Sequence, residues 1–248
     1  MESQGEPRRM SENGNAMAFQ PIADTGAGRV YAYEAMLRGP DGASMADVRS
    51  SMSAEARVNF DRRCAVGAIK WAMSAGLGTS GARLCIPTFA DAVTAPSEHL
   101  VPALQAARAC GLIPERIIFA IHDYQSVSGP HLAEIVHIYG KLGCLTAFVG
   151  LGEGQSGLAV CGRFKPDLVM LDPSLVCGIA SSWSRRIVLE DLTPRLRSLG
   201  LKAVATGVDC DTVLQRLGGF GLHLVKGDAI AKPEAASLPI PQFRRAAA

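Results

Sequence analysis

The chain has 248 residues, 48% of them hydrophobic, with 25 basic against 23 acidic side chains and a formal net charge of +2. That is enough apolar material for one large core, and nothing in so even a charge balance suggests a polyanion-binding surface, so direct contact with nucleic acid is not expected. No apolar run reaches the roughly 18 residues that cross a bilayer, so no membrane association is expected.

The first 15 residues are polar and carry no apolar stretch of the signal-peptide kind. They are expected to form a disordered arm (1–15), followed by one domain over 16–236 and a tail over 237–248. The expected location is cytoplasmic. The seven cysteines, Cys64, Cys85, Cys110, Cys144, Cys161, Cys177 and Cys210, are odd in number and scattered, with no C-x-x-C pair. Several lie in apolar runs, so they are expected as buried, reduced thiols rather than as disulfides or zinc ligands.

In chain order, Met17–Ile22 and Arg29–Leu37 read as two strands joined by the Gly-rich turn around Gly26 and Gly28. That spacing predicts an antiparallel hairpin. Further strands are expected at 83–88, 116–122, 145–150, 167–172, 201–206 and 222–225. Helical periodicity is found over 54–75, 90–110, 126–142, 157–164, 182–199 and 210–217. Gly111, Gly143 and Gly200 stand where three of these helices should end in a left-handed residue. Strands alternating with helices imply a mostly parallel sheet. Eight strands over about 220 residues fit an α/β TIM-like barrel with its first strand antiparallel, although the pattern alone leaves an open doubly wound sheet available. In a barrel the working residues lie at the C-terminal ends of the strands.

Those strand ends carry a resemblance. Phe19-Gln20-Pro21-Ile22 followed by Tyr33-Glu34-Ala35-Met36-Leu37-Arg38-Gly39 resembles the opening of EAL domains, which are cyclic di-GMP phosphodiesterases built as (β/α)8 barrels. The later landmarks follow in order. NFDRRCAVGAIKWA (59–72) resembles the first long helix of the family, and FKPDLVMLDPSLV (164–176) its Pro-Asp-x-x-Lys-x-Asp strand. VATGVDCDTVLQRL (204–217) resembles the Glu-Gly-Val-Glu segment, and HLVKGDAIAKP (223–233) the closing stretch. The collinear match runs from about residue 17 to 233.

The resemblance implies hydrolysis of one phosphodiester bond, with two divalent metals held by several carboxylates because hard cations take oxygen ligands. Carried over residue by residue, the signature Glu is Glu34. Gln20 and Arg38 also match the family, but most of the metal and catalytic positions have changed. The Asn that ends the third strand is Pro87, and the first Glu of the fourth strand is Ala120, its second shortened to Asp123. The paired aspartates of the fifth strand are Val149 and Gly150. The Lys that assists the attacking water is Met170. The Glu of the seventh strand is Thr206, its second Asp209, and the late Gln is Lys226. Rescue by Glu153 would require a slip of four residues in a strand whose other residues fit, and rescue through Asp209 is not expected either.

No catalytic residue, no metal ligand and no cofactor are therefore expected. The best expectation is a catalytically inactive regulatory domain that binds a regulatory protein, with a homodimer open. The alternatives are a non-hydrolysing cyclic di-GMP receptor and an active phosphodiesterase. If a ligand binds, Gln20, Glu34, Arg38 and Asp172 are the candidates. Each has a plainer role beside it. Glu34 could bond a neighbour, Arg38 could pair with Glu34 or Asp172, and Gln20 could be satisfied by backbone. His122 and Asp123 are adjacent and so should face opposite ways. Gly150–Gly154 lacks the ending of a phosphate-binding P-loop and reads as a structural turn. His99, His131 and His137 read as ordinary surface or boundary residues on helices.

Overall fold

Strand β1 (Ala16–Asp24) runs antiparallel to β2 (Arg29–Arg38), with Gln20 opposite Glu34 and Ala16 opposite Arg38. In the computed structural model, which describes residues 16–39, 42–152 and 155–241, this hairpin begins a closed barrel. Residues 1–15, the Glu153 alternative and most of the tail lie outside the described residues.

After β2 come three helices: α1 (Met45–Ser50), α2 (Ala54–Ser74) and α3 (Leu77–Ser80). Helix α1 is opened by a capping box in which Ser44 and Asp47 satisfy each other's backbone N–H. Strand and helix then alternate: β3 (Arg83–Phe89), α4 (Pro96–Cys110), β4 (Ile117–His122), α5 (Gly129–Lys141), β5 (Leu145–Leu151), α6 (Gln155–Phe164) and β6 (Leu168–Leu171). They continue with α7 (Pro173–Val176), α8 (Trp183–Ser198), β7 (Lys202–Thr206), α9 (Asp211–Gly219), β8 (Leu224–Lys226) and the short β9 (Glu234–Ala235). Gly111, Gly143 and Gly200 do adopt positive φ, at 75°, 86° and 74°, just beyond α4, α5 and α8.

Strands β2 to β8 pair in order and in parallel, and β1 closes the ring antiparallel to both β8 and β2. The open doubly wound sheet is thereby ruled out. Alternation along each strand sorts its side chains into two packed regions. On β4, Ile117, Phe119 and Ile121 pack outward under the helices, while Ile118 and Ala120 face the barrel interior. The interior is filled by Ile22, Tyr31, Ala32, Cys85, Ile118, Ala120, Ala147, Leu168, Met170 and Val204, a packed core rather than a pore. No described helix is long and apolar enough to cross a membrane. The described cysteines are all free, with Cys64, Cys85, Cys144 and Cys161 buried and Cys210 exposed.

The expectation for His99 needs correction. It is fully buried between α4, α2 and α5, not at the surface. Its Nε2 lies 3.2 Å from the Asp61 carboxylate and its Nδ1 2.8 Å from the Tyr139 hydroxyl. Asp61 in turn accepts the Phe89 backbone N–H at 3.4 Å, which ties this buried polar chain to the end of β3.

Candidate functional site

The inward-facing C-terminal ends of the strands converge at one mouth. Cross-strand register places Pro87 beside Ala120, Val149 beside Met170, Thr206 beside Lys226, and Gln20 and Cys85 on either side of Glu34. The strand-end positions singled out in the sequence therefore do form one ring.

Its central feature is an ion pair between the Lys226 ammonium and the Glu34 carboxylate. The side chains are only 14% and 9% exposed. A charge at that depth is tolerated only when paired, because an unpaired carboxylate loses its hydration without compensation. Of the two roles open for Glu34, the structure shows a bond to a neighbour, Lys226. Cys85, directly beside Glu34, has its thiol pushed well above the usual value by burial and then by the Glu34 charge, so it stays neutral.

The other candidates are placed as follows. Gln20 is buried and its Nε2 donates to Asp228 Oδ1 at 3.3 Å and to the Ala231 carbonyl at 3.1 Å. Thr206 turns its hydroxyl to the Leu171 carbonyl at 2.6 Å, sealing β7 to β6. Asp172 caps α7, accepting from the Ser174 N–H at 2.8 Å, and the Ser174 side-chain and backbone hydrogen bonds hold its carboxyl below the usual range. Arg38 donates to the Leu37 carbonyl at 3.4 Å and approaches the Met36 sulfur at 4.0 Å. Among the described residues it has no carboxylate partner, so the pairing with Glu34 or Asp172 open in the sequence is not made.

Three further residues lie near the mouth: His122 and Asp123, which the sequence reading weighed only as an adjacent pair facing opposite ways, and Arg49, which it passed over. His122 is largely buried and its ring stacks on Phe89, with centroids 5.0 Å apart. Burial pushes its imidazole below the usual pKa of 6.5, while the Glu34 and then the Asp123 carboxylate oppose that shift. Asp123 follows β4 in the left-handed region, at φ 50°. Arg49 lays its guanidinium 3.8 Å over the Phe89 ring and pairs with Asp91 at 2.6 Å, and Arg57 reaches the same carboxylate at 3.4 Å. Arg49, Arg57, Asp91, Asp123, Val149 and Gly150 are among the residues that border an open cleft of about 750 Å³. Strand periodicity could have flagged His122, which shares the inward parity of Ile118 and Ala120. Nothing in the sequence joins Arg49 to Asp91.

The residues at the mouth do not fit the two divalent metals that the EAL resemblance implies. Pro87, Ala120, Val149 and Met170 bring no side-chain oxygen to the ring. Thr206 has spent its hydroxyl on backbone, and an ammonium already holds Glu34. Among the described residues no three His, Cys, Asp or Glu side chains gather around one point. Hard cations need several oxygen ligands each.

Comparison with known proteins agrees with the barrel fold. The chain is 23% identical over 224 residues to the blue light- and temperature-regulated antirepressor BluF of Escherichia coli, covering 90% of this chain and 55% of that protein. It thus spans about half the length of this curated relative. Among solved structures, a standalone EAL protein of Vibrio cholerae in its c-di-GMP-bound form superposes with a TM-score of 0.86 at 29% identity, covering 94% of this chain and 97% of that one. Klebsiella pneumoniae BlrP1, in a calcium and cyclic di-GMP complex, superposes with a TM-score of 0.84 at 23% identity, over 97% of this chain and 60% of that one. The EAL domain model matches residues 6–233, and the chain belongs to the EAL domain family.

Proposed function

We propose that this chain is a catalytically inactive EAL domain that acts as a regulatory, protein-binding module in bacterial cyclic di-GMP signalling. The observation that carries the reading is the Glu34–Lys226 ion pair in a mouth where Pro87, Ala120, Val149 and Met170 bring no side-chain oxygen and the Thr206 hydroxyl is spent on backbone. Cleavage of a phosphodiester by two metals requires a clamp of carboxylates around both ions, and one lysine-bound carboxylate is not such a clamp. With Met170 at the family's Lys position, no lysine at the end of β6 is left to assist an attacking water. A barrel keeps its fold through such changes because its stability resides in the packed layers and outer helices. The antirepressor relative fits a chain whose output is an interaction rather than a reaction.

The test is incubation of the purified protein with cyclic di-GMP and Mg²⁺ or Mn²⁺, followed by chromatography. No linear dinucleotide above background is expected, and metal-dependent product at more than trace rate would overturn the reading. Pull-down from the native host should then retain a regulatory protein equally well with and without chelator.

One observation favours a second reading, a receptor that binds cyclic di-GMP without cleaving it. Arg38 stands at the mouth with no carboxylate partner among the described residues. Guanidinium groups meet phosphate through charge-assisted hydrogen bonds. Calorimetric titration separates the two readings. A receptor binds the dinucleotide with or without chelator, and Arg38→Ala weakens it by about 1.5–3 kcal/mol. A purely protein-binding module shows no heat.

A further inference from the structure

We propose that Lys226 is a built-in cation that has taken over the metal's electrostatic place at Glu34, so that the ammonium both makes a buried Glu34 tolerable and keeps divalent ions out. The inference rests on the ion pair and its surroundings, not on the regulatory reading, and its test uses neither cyclic dinucleotide nor partner protein.

The backbone delivers Lys226 to this place with little freedom. Its carbonyl accepts the Val208 N–H at 3.1 Å, and the Ala229 N–H donates to the Val208 carbonyl at 3.0 Å, so the loop after β7 lies flat on the end of β8. The residue between these bonds is Gly227, where an added Cβ would fall 2.1 Å from the Val208 oxygen. With the main chain pinned, the side chain of Lys226 crosses β1, which lies between β8 and β2, and meets Glu34. The flanking groups add no competing charge at this depth. Cys85 is held as a neutral thiol by burial, and burial likewise favours the neutral form of His122. The pair is therefore self-balanced, one negative charge against one positive.

A divalent ion could reach Glu34 only by displacing an ammonium that is covalently part of the wall. It would gain a single carboxylate in exchange. Removing the ammonium reverses the situation, because Glu34 is then a buried anion in need of a cation.

The experiment compares wild type, Lys226→Arg, Lys226→Gln and the double variant Glu34→Gln/Lys226→Gln. Thermal unfolding is followed with Mn²⁺ or chelator, and bound Mn²⁺ is read by electron paramagnetic resonance. The wild-type melting point is expected to ignore both additions, and Lys226→Arg to behave alike. Lys226→Gln should melt lower by about 5 °C or more and regain part of that loss with Mn²⁺. It should also bind Mn²⁺ at least about tenfold more tightly than wild type, a difference of about 1.4 kcal/mol. The double variant should lose the Mn²⁺ response and recover stability. If Lys226→Gln does not fold, a folded double variant reports the same unpaired charge, and an unfolded one overturns the inference. It is equally overturned if wild type binds Mn²⁺ as tightly as Lys226→Gln, or if Lys226→Gln binds no better than the double variant.

Discussion

Replacing Gly227 with alanine adds one methyl group at the point where two loops touch. The new Cβ would lie 2.1 Å from the Val208 oxygen, 2.4 Å from its nitrogen and 2.6 Å from its carbonyl carbon, all of them backbone atoms that cannot swing aside. Relief requires the chain after β7 to lift off β8. That lift breaks the Val208 N–H to Lys226 and Ala229 N–H to Val208 hydrogen bonds, at about 0.5–1.5 kcal/mol each. Overpacking adds about 1–3 kcal/mol, so the total is about 2–6 kcal/mol. For a chain of this size each kcal/mol moves the melting point by about 2–4 °C, and a drop of about 4–24 °C is expected in a calorimetric or circular-dichroism melt. Gly140 in α5 provides the control, since nothing lies within 4 Å of its Cβ position. Gly140→Ala should be neutral or raise stability by about 0.4–1 kcal/mol. If Gly227→Ala melted within about 2 °C of wild type, the close approach that fixes Lys226 would not exist.

Two further outcomes are expected. Ala120→Glu, which returns one carboxylate to a fully buried position of the barrel interior, should leave cyclic di-GMP uncleaved and lower stability, because its charge has no partner. Robust turnover from this one change would mean that Val149, Gly150 and Met170 have been matched to the wrong family positions. His122 should make the fold acid-sensitive. Its folded pKa is lowered by burial against the opposing Glu34, Asp123 and Asp61 carboxylates, with Lys226 adding to the lowering. The unfolded chain therefore takes up the proton first, and stability present above pH 6.5 is lost as pH falls through the window below it. Relative to His122→Gln, wild type should lose stability faster between pH 6.5 and the folded value, and a gap that widens in favour of wild type on acidification would refute the assignment.

The barrel was legible because its signal is local. Short apolar runs such as Arg83–Phe89 and Ile117–His122 alternate with longer amphipathic stretches, and the Gly-rich turn after Asp24 makes the first pair a hairpin. Their places at strand ends, together with the EAL resemblance, also drew Glu34, Ala120 and Met170 together without any coordinates. Helices α1 and α7 went unseen, since six and four residues are too few to show a 3.6-residue period. The helix expected from residue 90 begins only at Pro96, where the proline supplies the first turn, and a separate 3-10 turn covers Ala90–Ala92. What sequence could not supply was partnership. Lys226 stands 192 residues from Glu34, so it read simply as a lost Gln. His99 shares its helix with ordinary surface residues, and only the arrival of Asp61 on α2 and Tyr139 on α5 makes it a buried polar hub.

On the proposed reading, the replacements at the mouth are physically coupled. Several carboxylates can share the inward ends of barrel strands only while multivalent cations neutralise them. Without the metals each buried carboxylate repels the others and pays its own desolvation. One ammonium balances one carboxylate, and this ring keeps one such pair, Glu34 with Lys226. The positions around it have joined the apolar layers beneath, with Ala120 and Met170 packed in the same cluster as Cys85, Ile118 and Val204. Such an interior draws its stability from packing, and any single step back toward a metal site meets a cost before it meets a ligand shell. Ala120→Glu strands a charge, Lys226→Gln strands another, and Met170→Lys places an ammonium among aliphatic side chains. On the proposed reading, a two-metal centre at this mouth therefore demands several simultaneous changes rather than one.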